Sequence, residues 1–143
     1  KPKHSPDYFH QKLGRILWNA CGMSREQQSL KAAMKDISEL ESEFWQNIKV
    51  TGSESDFNQT LEKAGRVADF IELGYLMCRD AIEREESCGA HARVEYLAES
   101  GDAKRDDENY SYVAAWECQD GGPILHKENL HFEFIKPSVR DYK

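Results

Sequence analysis

Apolar residues recur at three- and four-residue steps through the first 85 positions and then stop doing so. Phe9, Leu13, Ile16, Leu17 and Ala20 form one such face. Leu30, Ala33, Ile37, Leu40, Phe44 and Ile48 form a second, and Leu61, Ala64, Ala68, Ile71, Tyr75, Cys78 and Ile82 a third. A parallel line on the third segment, Val67, Phe70, Gly74, Met77 and Ala81, widens its buried side. This period is that of amphipathic helices. Ser5-Pro6-Asp7 predicts the first start: a capping hydroxyl, proline at the first helical position and an acid at the positive end of the dipole. Gly22 predicts the first stop, and Ser24 to Gln27 reads as a capping box opening the second helix. Val50 to Asp56 reads as a loop. Helices two and three each span about 25 residues, ~37 Å at 1.5 Å per residue.

After Asn109 the period falls to two. Tyr110, Tyr112, Ala114 and Trp116 alternate with other residues, Gln119-Asp120-Gly121-Gly122 signals a turn, and Pro123-Ile124-Leu125-His126 comes next. This predicts a short β-hairpin. His131-Phe132-Glu133-Phe134-Ile135 reads as a further extended piece. The fold class is therefore mainly α: an antiparallel, spectrin-repeat-like three-helix bundle over residues 1–90. Residues 91–143 carry a charged joint, the hairpin and a tail, expected to pack as one domain with the bundle.

Charge changes the picture at one place. Between Arg84 and Asp107 the chain gathers Arg84, His91, Arg93 and Arg105 with Glu85, Glu86, Glu95, Asp106 and Asp107, and sets Ser87 and Gly89 among them. A solvated face has no need of a glycine and a histidine at fixed places. The block reads as a polar joint built to meet another surface, with Arg84, Glu86, Ser87, Gly89, His91, Arg93, Arg105, Asp106 and Asp107 as its docking residues.

Composition excludes several classes. Acidic residues outnumber basic ones 26 to 19, for a formal net charge of −7, which argues against a nucleic-acid partner. No apolar run approaches the ~20 residues of a membrane span. The four cysteines, Cys21, Cys78, Cys88 and Cys118, form no C-x-x-C pair and read as reduced thiols, Cys88 being the most reactive. His91 and Glu95 have the spacing of two helical metal ligands, but Gly89 ends the helix before them, and a hydrogen-bonded structural histidine is the expectation. Asp106 and Asp107, neighbours in sequence, suit a turn or ion pair rather than acid–base work. Trp18, Trp45 and Trp116 read as core or interface anchors rather than a ligand platform. No glycine-rich phosphate cradle is present. Neither catalytic, cofactor-binding nor metal residues are expected.

The charged block also carries a resemblance. Arg84-x-Glu86-Ser87-x-Gly89-Ala90-His91-x-Arg93, followed by Arg105-Asp106-Asp107-Glu108-Asn109, is similar to the C-terminal domain signature of succinate dehydrogenase and fumarate reductase flavoprotein subunits. Leu13 to Trp18 with Cys21-Gly22-Met23 resembles that domain's first helix and turn, Gly65 to Leu73 its long third helix, and Arg140-x-Tyr142 its usual end. The chain resembles most the soluble, Bacteroidetes-type flavoprotein subunits. It departs from the common pattern in having Cys88 where many members have arginine, and Leu97 to Lys104 where many have a short proline-containing link. The resemblance implies a C-terminal piece of a longer subunit whose FAD and dicarboxylate sites lie in preceding domains. It implies docking to the FAD-binding and capping domains, an iron–sulfur partner subunit, electron exchange with quinone, and a peripheral cytoplasmic place at the inner membrane. L-aspartate oxidase has a related C-terminal domain. A free-standing helical interaction module and a small metallohydrolase centred on His91 are the other readings.

Overall fold

The computed structural model describes residues 2–54 and 57–138. It divides into two compact units, Lys1–Glu85 and Glu86–Lys143.

The first unit is an up-down-up bundle of α1 (Pro6–Ala20), α2 (Gln27–Asn47) and α3 (Gln59–Glu83). Ser5 caps α1 by accepting from the Tyr8 amide, with Pro6 at the first helical position as the sequence predicts. The start of α1 lies beside the end of α2, where the Lys3 and His4 amides donate to the Asn47 carbonyl at 2.8 and 3.0 Å. These two helices are therefore antiparallel. His10 faces Phe70, and Leu13 and Leu17 close on Gly74, so α1 and α3 run in the same direction. Phe9, Leu13, Leu30, Ile37, Leu40, Phe44, Val67, Ile71 and Cys78 form the core.

Two expectations fail here for local reasons. The box at Ser24 to Gln27 does not open α2; the helix begins at Gln27 behind Glu26, which makes no side-chain cap. Gly22 lies so close to Trp18 that an added Cβ would sit 2.6 Å from its carbonyl oxygen, and Arg25 Nε donates to the Gly22 carbonyl at 3.1 Å. That tight turn occupies the residues the box would need. On α3 the buried line is Ala64, Val67, Ile71, Gly74, Cys78 and Ala81. It mixes the two predicted stripes and leaves Leu61 60% exposed. Asn58 caps α3, its Oδ1 accepting from the Thr60 and Leu61 amides at 3.0 Å each.

The second unit opens with two tight turns, passes through the one-turn helix α4 (Asp107–Tyr110) and ends in a hairpin of β1 (Tyr112–Glu117) and β2 (Ile124–Asn129). The strands pair antiparallel from Tyr112↔Asn129 to Glu117↔Ile124. The Gly122 amide donates to the Gln119 carbonyl at 3.0 Å in the expected turn. Tyr110, placed on the strand by alternation, ends α4 instead, because the Asp106 side chain caps a helical turn there. The segment His131 to Ile135 pairs with no strand among the described residues, and its Phe134 and Ile135 are exposed. Arg140 and Tyr142 lie outside the described residues. No helix among the described residues is long and apolar enough to cross a membrane.

Candidate docking site

Glycine at position 89 sets the local geometry of the charged block. Gly89 has φ +59°, while Ala90 keeps a negative φ. That sign pattern is a type II′ hairpin turn, which calls for glycine at its first central position. Cys88 and His91 close it with reciprocal backbone bonds of 2.9 and 3.1 Å. The tip, Gly89 and Ala90, is exposed, and His91 is half-buried. His91 therefore lies on a turn and not on a helix, and the Glu95 carboxylate takes Arg93 as its partner. Among the described residues no three histidine, cysteine or acidic side chains gather as metal ligands.

Ser87 ties this turn to the segments on its C-terminal side. Its hydroxyl donates to the Arg93 carbonyl at 3.1 Å and accepts from the Arg93 amide at 2.8 Å. Its own amide donates to the Lys104 carbonyl at 3.0 Å. The Leu97 to Lys104 segment closes on itself: the Ala98 amide donates to Asp102, the Gly101 amide to Ala98, and the Lys104 amide to Tyr96 at 3.3 Å. The longer link is thus a side loop whose ends meet again.

The charges divide by depth. Arg93 is 1% exposed; its Nε donates to Glu95 Oε2 at 3.0 Å and its guanidinium lies 5.2 Å from the Tyr96 ring centre. Glu86 is also buried, and its Oε2 accepts from the Asp106 amide at 2.8 Å. Asp106 turns its own carboxylate to Asn109, taking the amide at 3.2 Å and the side-chain Nδ2 at 2.9 Å. Arg105 grips Asp107 through Nε at 3.0 Å and Nη2 at 2.6 and 2.7 Å, and donates from Nη1 to the Ser138 carbonyl at 2.9 Å. The hydrogen-bonded Asp107 carboxylate raises the Arg105 pKa further, fixing its positive charge. Arg84 belongs to the first unit, where it caps α3 by donating its amide to Asp80 at 3.1 Å.

Eight of the nine candidate residues therefore fall in the second unit, in two layers. Glu86, Ser87 and Arg93 are buried and frame the block; Gly89, His91, Arg105, Asp106 and Asp107 lie at or near its surface. The roles of Glu95 as the partner of Arg93 and of Tyr96 beneath it were not legible, because an arginine next to several acids gives no sign of which it selects. The tryptophans gather no platform: Trp18 is 83% exposed on α1 and Trp45 is exposed on α2, while Trp116 is half-buried on β1. The strands come after the long helices in chain order, so among the described residues no strand leads into a helix as a dinucleotide cradle requires.

Comparison with known proteins adds a family to this geometry. Residues 10–142 match the family model described as fumarate reductase flavoprotein C-term. The fumarate reductase flavoprotein subunit of Haemophilus influenzae is 29% identical over 131 residues, covering 91% of this chain and 21% of that protein. The chain thus spans about a fifth of the length of the curated relatives it matches. The L-aspartate oxidase of a Nostoc species is 28% identical over 100 residues, covering 62% of this chain and 17% of the enzyme. In structure, the FrdA chain of E. coli quinol fumarate reductase superposes with a TM-score of 0.81 at 22% identity, over 97% of this chain and 23% of that one. That likeness is one of fold.

Proposed function

Because the chain belongs to the fumarate reductase flavoprotein C-terminal family, we propose that it is the helical docking domain of an FAD-dependent subunit that interconverts succinate and fumarate. The observation that carries this reading is the match over residues 10–142, which takes in the whole charged block. In this reading the flavin and the dicarboxylate bind in parts of the subunit outside this chain. Succinate gives a hydride to the flavin there, and the electrons leave through an iron–sulfur subunit to quinone at the membrane, or run in reverse to fumarate. The chain itself supplies no catalytic group. Its part is to dock on the FAD-binding and capping domains. Glu86, Ser87 and Arg93 hold the frame from within, and the Gly89–Ala90 tip, His91 and the Arg105–Asp107 pair offer polar groups to the partner domain. The assembly sits peripherally on the cytoplasmic face of the inner membrane.

Coverage of 91% of the chain by the fumarate reductase subunit against 62% by the L-aspartate oxidase favours the first substrate class. Purified full-length subunit tests both. We expect a bound-flavin spectrum and dye reduction with succinate, and neither from the 143-residue chain alone. Dye reduction with L-aspartate in place of succinate would move the chain to the oxidase, and a flavin-free full-length protein would remove the reading altogether.

A further inference from the structure

Two of the four thiols meet inside the first unit. Cys21 caps the C-terminal end of α1 and is 7% exposed; Cys78 lies on the buried line of α3 and is 0% exposed. The shared direction of α1 and α3, which sets His10 on Phe70 and Leu17 on Gly74, brings residue 21 to residues 77 and 78. The Cys21 S–H donates to the Met77 carbonyl at 3.9 Å, which places it against the residue that precedes Cys78, and the two thiols interact. Cys88 and Cys118, in contrast, are exposed in the second unit.

We propose that Cys21 and Cys78 are an oxidisable dithiol that a small peroxide closes to a disulfide and a thiol reductant reopens. Cys21 is the attacking group. The Cys78 S–H bond to it, helped by the nearby positive charge of Arg25, holds its pKa below the usual thiol range against burial and Asp80. The Cys21 thiolate attacks one oxygen of hydrogen peroxide, breaking the O–O bond; it becomes a sulfenic acid, and the departing hydroxide takes a proton to leave as water. Its bond to Cys21 and its burial push Cys78 up, so it keeps its proton until then. Oxidation of Cys21 removes the first of these restraints. Cys78 sulfur then displaces hydroxide from Cys21 sulfur, forming the S–S bond and a second water. Two thiols and one peroxide become one disulfide and two waters. Two reductant thiols reverse it by exchange and leave as their own disulfide. The bond would join the end of α1 to α3 and close a loop of about 60 residues, which restrains the unfolded chain.

The test uses the chain with Cys88→Ser and Cys118→Ser, both exposed positions. After hydrogen peroxide, denaturation and alkylation, we expect both remaining thiols to vanish together. The mass should fall by two hydrogens, with no dimer and no added oxygen, and a peptide map should join residues 21 and 78. The Tm should rise by ~5 °C or more and return on adding dithiothreitol. With Cys21→Ser as well, Cys78 should survive the same peroxide. Two alkylatable thiols after a dose that consumes Cys88 and Cys118 in the unaltered chain would overturn the proposal. So would oxygen added to Cys21 beside a free Cys78, or loss of Cys78 at the same rate without Cys21.

Discussion

Ser87→Ala deletes one oxygen from a residue that is 0% exposed. That oxygen serves both backbone groups of Arg93. The two losses differ. The Arg93 carbonyl keeps the Tyr96 amide at 2.9 Å, so it gives up only the ~0.5–1.5 kcal/mol of an ordinary hydrogen bond. The Arg93 amide has its hydroxyl partner removed in a buried residue, and an orphaned donor of that kind costs about 1–3 kcal/mol. The void is smaller than a water, so solvent cannot replace the hydroxyl. The sum is ~2–4 kcal/mol. Urea unfolding followed by Trp116 fluorescence reads this, in a chain where exposed Trp18 and Trp45 are changed to phenylalanine. With an m-value of about 1–3 kcal/mol/M, the midpoint should fall by ~1 M or more at unchanged m. Ser38→Ala is the control, since Ser38 is exposed and donates only to the Met34 carbonyl one turn back. It should stay within about 0.5 kcal/mol. A Ser87→Ala midpoint equal to that control would show that the hydroxyl does not hold the turn together.

An open glycine on α3 and a crowded one in the turn after α1 give opposite signs. Gly65→Ala, with nothing within 4 Å of the added carbon, should stabilise by about 0.5–1 kcal/mol, and Gly22→Ala, 2.6 Å from the Trp18 carbonyl, should destabilise by ~1–3 kcal/mol, both read as shifts in urea midpoint. The hydrogen bond from Lys12, 2.9 Å away, holds Glu43 below the usual carboxylate range, while Glu43 raises Lys12. A depressed acid stabilises above its unfolded pKa of about 4.3 and loses that contribution as pH falls through its folded value. The raised lysine loses its share only as pH rises through its own folded value. Glu43→Gln should therefore show a constant deficit at neutral pH that closes below about pH 4; a deficit persisting in acid would mean packing, not charge, is responsible.

The helices were legible because their signals are local. Ser5-Pro6 needs nothing from outside the first turn to cap α1, and Leu30 to Phe44 buries as its spacing dictates. The Ser24 box was misleading because Gly22 and Arg25 build a turn whose geometry depends on close approach to Trp18. The rotation of α3 that exposes Leu61 could not be read because both of its apolar lines fit a bundle, and packing chose between them. In the charged block Gly89 reads in sequence as the end of a helix, which it follows by several residues; the turn it builds needs its positive φ, which few other residues take at low cost. The Ser87 clamp gave no sign. It joins residues six and seventeen positions away, and periodicity does not reach that far. The same holds for Glu86, whose acceptor role at the Asp106 amide spans the side loop of Leu97 to Lys104.

The docking account rests on the difference between the buried and the surface layers of the block, and paired variants test it most directly. Arg93→Ala removes a charge that is 1% exposed beside a Glu95 that water still partly reaches, so it should cost ~2–4 kcal/mol in the 143-residue chain and in the full-length subunit alike. Arg105→Ala breaks an ion pair near the surface and should change the isolated chain by no more than about 1 kcal/mol. In the full-length subunit the same Arg105→Ala change should lower flavin retention and succinate-dependent dye reduction several-fold. Full activity and full flavin content in that variant, with the isolated chain equally unmoved, would contradict the account.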